Sequence, residues 1–177
     1  GFIEIKTIDD ISTGKWRENA NGKDYNKTDY EVWTESGWTA IKHVMRHKVS
    51  KNMYRVLTHT GAVDVTEDHS LLNKDGQKIT PKECKVGQEL LHSFPKFEND
   101  NCVCTDKEKH NAYNQGFDKN ITSNILNQPF AIRKSFFEGY SNNNTKFSIN
   151  NKLDAQYLYC LLKSLNYSVN INIDSNE

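Results

Sequence analysis

The stretch Val63-Asp64-Val65-Thr66-Glu67-Asp68-His69-Ser70-Leu71-Leu72 decides how the chain is read. A hydrophobic run is broken by Thr66, Glu67, Asp68 and His69, and then resumes at Leu71. Two readings of the break compete on the residues alone. In one, polar groups end a strand and cap the turn that follows. In the other, Thr66, Asp68 and His69 form a reactive group at the end of a hairpin. A histidine near neutral pH can give a proton to a departing amine. A threonine hydroxyl or backbone N–H can stabilise charge on a strained carbonyl. Asp68, next to the histidine, can tune the local charge. Such a set suits acyl transfer.

Outward from this stretch the first half reads as short strands. The segment 1–8, GFIEIKTI, opens with alternation, Phe2, Ile3 and Ile5 against Glu4 and Lys6. Residues 13–29 read as a loop rich in Gly, Asn and Asp. β-Branched and aromatic residues flank Glu35-Ser36-Gly37, a hairpin signal. A second hairpin turns at Thr60-Gly61 and a third at Lys74-Asp75-Gly76. Thr80-Pro81 opens a brief turn of helix.

Beyond Ser93 the character changes. Residues 95–124 are polar and without clear period, an excursion from the β region. Phe130, Ile132, Phe136, Phe137 and Tyr140 then recur at helical spacing, and Leu153, Tyr157, Cys160, Leu161 and Leu165 do so more clearly. Asn150 or Asn151 can cap this last helix, Lys152 to Leu165, and Asn166 can take the left-handed position after it. Residues 169–173, VNINI, read as a strand.

Composition narrows the functions. Lys plus Arg equals Asp plus Glu at 23 each in 177 residues, so no general attraction draws the chain to nucleic acid or an anionic membrane. Mean hydropathy is −0.80, while aromatics at 11% argue for a packed core. No apolar run has membrane-span length, and the opening residues do not read as a signal peptide. The four cysteines are expected as free thiols in a reducing cytosol. His43 and His47 would share a sheet face rather than hold a metal, and Cys102-Val103-Cys104 lacks the second pair of a zinc knuckle. No cofactor and no metal are expected.

Several blocks in order carry a resemblance. The second hairpin, GAVDVTEDHSLL, the turn in LNKDGQKIT and the segment TPKECKVGQELL resemble the N-terminal part of an intein's splicing domain, the Hint fold. Thr66-Glu67-Asp68-His69 stands where that family carries its TxxH block. Lys82 to Leu90 is similar to the family's K-x-L/C-K-V-G-D-E-L pattern, and Ile41 to Lys48 resembles inteins in family-B DNA polymerases of large DNA viruses. Arg133 to Ile173 is similar to the later part of an inserted LAGLIDADG homing endonuclease. There the usual EGYYAADG reads Glu138-Gly139-Tyr140-Ser141-Asn142-Asn143-Asn144-Thr145, so a metal-binding aspartate falls on Asn144, a poorer ligand for a hard cation.

The resemblance implies a mainly β, horseshoe-like Hint domain over 1–93, and a linker with a small, degenerate α/β endonuclease-like region over 94–177. It implies autocatalytic protein splicing, with His69 protonating the departing amide nitrogen, Thr66 hydrogen-bonding in the same pocket and Asp68 supporting them. The family's first-position Cys or Ser and its final His-Asn pair are not among these residues. Two expectations follow, a split intein paired with a short N-terminal fragment that carries the nucleophile, which is favoured, or a longer intein of which these residues are a part; either is flanked by segments of a DNA polymerase, without DNA or membrane binding. Three alternatives stay open: an inactive Hint-like binding module, an active endonuclease, and a secreted, autoprocessing Hint domain.

Overall fold

Residues 1–18, 21–97 and 102–173 are described by the computed structural model. Parts of two expected loops, at 19–20 and 98–101, and the last residues, 174–177, lie outside them. The chain divides into two compact units, and neither is continuous in sequence. One comprises Ile11–Pro95 and the segment from Asn170 on; the other comprises Gly1–Asp10 and Lys96–Val169.

The first unit is a set of antiparallel ladders. Its strands are β1 (Arg17–Glu18), β2 (Asp24–Asn26), β3 (Glu31–Thr34), β4 (Gly37–Ala40), β5 (Val44–Arg46), β6 (Met53–Thr58), β7 (Gly61–Thr66), β8 (Leu71–Leu72) and β9 (Lys78–Ile79). They pair as β1-β2-β5, β3-β4, β6-β7 and β8-β9. The three expected hairpins form. Trp33 faces Trp38 across β3-β4, the rings edge-on at 5.6 Å. Gly37, at φ +93°, takes the backbone conformation that closes that turn. In the third hairpin the Asn73 side chain accepts from the N–H groups of Asp75 and Gln77, at 3.0 and 2.9 Å.

The loop expected over 13–29 contains β1 and β2. Buried Asn26 is the reason: its side chain accepts from Gly14 N–H at 3.1 Å and donates to Gly14 O at 2.8 Å, so a polar residue does the work of a ladder. Arg46 adds an ion pair to Asp24 at 2.9 Å and lies 4.2 Å over the Trp16 ring. Pro81–Glu83 form a turn rather than helix. There Glu83 accepts from the Thr80 N–H and hydroxyl, both at 2.8 Å, and these bonds lower its pKa. Residues 169–173 are not a strand; Ile171 N–H makes a single bond to His59 O, 2.9 Å.

The second unit is helical, with no strand among its described residues, where an α/β region was expected. Its helices are α1 (Asp106–Gly116), α2 (Ser123–Leu126), α3 (Phe130–Ser141) and α4 (Lys152–Ser164). Over the whole described chain, several antiparallel sheets and few helices agree with a mainly β fold, the β content being confined to the first unit.

Helix α1 falls within the tract read as periodless. Its burial is confined to Ala112 and Gly116, so hydropathy carries little signal, but Thr105 and Glu108 form a reciprocal capping box at its start. Asn151 caps α4 by accepting from Leu153 N–H at 2.8 Å, and Asn166 takes φ +62° after it, as expected. Phe136, Leu126 and Leu161 are almost wholly buried in the shared core; each contributes about 1.5–3 kcal/mol relative to exposure. The opening residues do not form a strand. Ile3 donates to Asn127 Oδ1 at 2.8 Å and accepts from its Nδ2 at 2.7 Å, the Tyr157 hydroxyl donates to Ile5 O at 3.2 Å, and Ile5 packs on the helical core.

Helices α1 and α3 meet at two glycines. A Cβ on Gly116 would stand 2.9 Å from the Gly139 carbonyl carbon, and one on Gly139 would overlap Tyr113 O. Alanine at 139 gains helix propensity but forces the backbones apart. Gly139→Ala is therefore expected to lower unfolding free energy by about 1–3 kcal/mol in denaturant titration; an unchanged or raised midpoint would contradict the close contact.

Candidate functional site

Thr66 is the last residue of β7 and is paired with Met53 at the start of β6. Past it the chain turns. His69 N–H donates to Thr66 O at 3.0 Å, so the T-x-x-H spacing is the first and last position of a hydrogen-bonded β-turn. The polar interruption is a strand end followed by a turn, which brings the backbones of Thr66 and His69 together. Thr66 is half-buried, whereas Asp68 and His69 are exposed. A peptide approaching from solvent can reach the imidazole.

Two residues that the sequence reading passed over hold this turn. Asn52 O accepts from Glu67 N–H at 3.0 Å, and the Asn52 side-chain amide donates to Glu67 Oε2 at 3.2 Å. The Lys51 ammonium is paired with the Asp68 carboxylate. Their only sequence signal is position, since they stand just ahead of the strand that pairs with β7.

The Asp68 carboxylate is held down to a pKa of about 2, first by the hydrogen bond from Lys51 and then by one from the Thr66 hydroxyl. Its partners are therefore a lysine and a threonine. At the other end of the hairpin, Leu71 and Leu90 join Val56, Val63 and the β6-β7 turn around an apolar groove of about 210 Å³.

The other sequence candidates lie elsewhere. His43 and His47 flank β5, and the His43 ring meets Tyr25 edge-on at 5.0 Å. All four cysteines are free; burial pushes the Cys160 thiol up to about 11. Asn144 follows α3 beyond two left-handed residues, Asn142 and Asn143, and its N–H donates to Ser141 O at 2.8 Å. Among the described residues no three His, Cys, Asp or Glu side chains converge as metal ligands, and no helix is long and apolar enough to cross a membrane.

Known proteins resemble parts of the chain. A DNA polymerase of Acanthamoeba polyphaga mimivirus is 45% identical over 130 residues, 66% of this chain. DNA polymerases of Thermococcus litoralis and Thermococcus aggregans are 41% and 46% identical over 59 and 43 residues. The chain spans 7% of the mimivirus polymerase and 4% and 2% of the other two. Small tracts shared with polymerases of a virus and of archaea fit an element inserted in a polymerase. No family model matches the chain, and no solved structure does.

The Asp68 pairing has a sign that can be checked. A depressed carboxylate pKa contributes stability above its ordinary value, 3.8, and loses it as pH falls through the folded value. NMR titration of Asp68 should give a midpoint near 2, moving up toward 3.8 in Lys51→Ala. Equal midpoints in the two proteins would contradict the ion pair.

Proposed function

We propose that this chain is part of an intein inserted in a DNA polymerase, and that the Thr66–His69 turn serves the first, N-terminal acyl shift of protein splicing. The observation that carries the reading is the partial match: the chain is 45% identical to a viral DNA polymerase over 130 residues yet spans 7% of it. The turn supports the residue roles, because its hydrogen bond gathers a threonine and an exposed histidine at the end of one hairpin.

In the shift, a first-position Cys or Ser attacks the carbonyl carbon of the peptide bond that precedes it. The C–N bond breaks, a thioester or ester forms, and the nitrogen leaves as an amine. His69 donates the proton which that nitrogen needs, and the proton of the nucleophile goes to solvent or returns to the imidazole. Thr66 hydrogen-bonds the strained peptide. Asp68 acts through the turn, by its pairing with Lys51. The nucleophile is supplied by a segment outside these 177 residues, joined ahead of Gly1 or borne on a complementary chain as in a split intein. The polymerase supplies the flanking segments that are ligated. The unit built from Lys96–Val169 is read as a degenerate endonuclease-like region without DNA cleavage, since Asn144 replaces an acidic residue with a neutral one.

The test uses the chain within its polymerase precursor. His69→Ala should slow thiol-induced N-terminal cleavage by roughly 100-fold or more; cleavage at the parental rate would overturn the role. A second arm mixes the chain with a peptide bearing the family's first block. Ligated product supports splicing in trans, and absence of both binding and product rejects it.

A further inference from the structure

We infer that Lys51 and Asn52 are positioning residues for the Thr66–His69 turn, an inference that rests on the acyl-shift reading of that turn. The β6-β7 ladder ends at the Met53–Thr66 pair. Beyond it the reactive turn would project unsupported, and exposed turns of this kind reorganise readily. The two residues just ahead of β6 fill that gap. Asn52 O takes the Glu67 N–H at 3.0 Å, which carries backbone pairing one step past the ladder. The Asn52 amide holds the Glu67 carboxylate at 3.2 Å. Lys51 holds Asp68.

Both central positions of the turn, Glu67 and Asp68, are thereby fastened to the same dipeptide. Its outer positions, Thr66 and His69, are fastened to each other through the His69 N–H. The Lys51–Asp68 pair is solvent-exposed, with side chains 40% and 56% accessible, so it adds little to folding stability. Its effect falls on geometry. A proton donor must sit within hydrogen-bond reach of the leaving nitrogen, and misplacement by about 1 Å can cost a factor of roughly 100 in rate. With Lys51 removed, Asp68 loses its anchor, while the hairpin beneath stays paired.

The experiment compares N-terminal cleavage rates in the polymerase precursor for the parent, Lys51→Ala, Lys51→Arg, Lys51→Ala/Asp68→Ala and His69→Ala, with thermal midpoints measured alongside. Lys51→Ala is expected to slow cleavage by about 10-fold at an unchanged midpoint, and Lys51→Arg, which keeps the charge, to restore most of the rate. The double variant should be no slower than Lys51→Ala, since both substitutions break one pair. If Lys51→Ala cleaves at the parental rate while His69→Ala is slow, the positioning role is overturned and the acyl-shift reading stands. If His69→Ala is itself unimpaired, that reading fails and this one with it. A rate loss in Lys51→Ala that tracks a lowered midpoint, and that arginine does not rescue, assigns Lys51 to folding alone.

Discussion

Backbone meets backbone where α1 crosses α3, and the helical unit is organised around that contact. Gly116 and Gly139 leave no room for a Cβ on either side. Removing two side chains forfeits helix propensity, about 1 kcal/mol each. In return the helices approach closely enough for Ala112, Phe136, Phe137 and Tyr140 to share one core. The remaining elements seat on that pair. Arg133, almost wholly buried, donates to Gln128 O at 2.7 Å and to Ser164 O at 3.4 Å, tying the start of α3 to the end of α4. Phe97 covers its guanidinium at 4.8 Å.

The β unit is assembled differently. Its buried residues are few, Asn26, Val44, Val65 and Pro81 among the described residues. Short ladders and side-chain bonds to backbone do much of the holding, from the Asn26 clamp on Gly14 to the Asn73 turn. Such bonds are local and directional, so they fix turns well even where little apolar surface is covered. Large apolar side chains remain open on the same unit, including Trp38, Met53 and Leu57.

What was legible in the sequence follows from which force made each element. Hairpins closed by glycine turns and helices with an apolar stripe could be read, because turn geometry and burial leave marks at fixed spacing. The cap at Asn151 and the left-handed Asn166 could be read for the same reason. Helix α1 was missed because its contact face consists of Ala112 and Gly116, which carry almost no hydropathy; Thr105-Asp106-Lys107-Glu108 was the available sign. The strands around Asn26 were missed because a buried asparagine looks like a loop residue. Thr66, Asp68 and His69 stand close together in the sequence, whereas their neighbours Lys51 and Asn52 could not be read, since a cross-strand partner becomes visible only with the register.

One further consequence lies in the path of the chain. Because Gly1–Asp10 belongs with the helical unit and the segment from Asn170 on belongs with the β unit, neither unit corresponds to one uninterrupted stretch of gene. A protease nick between Pro95 and Lys96 would yield two pieces, each holding part of both folds. A change that erodes the helical part also loosens the footing of the first ten residues, which Asn127 and Tyr157 hold through Ile3 and Ile5.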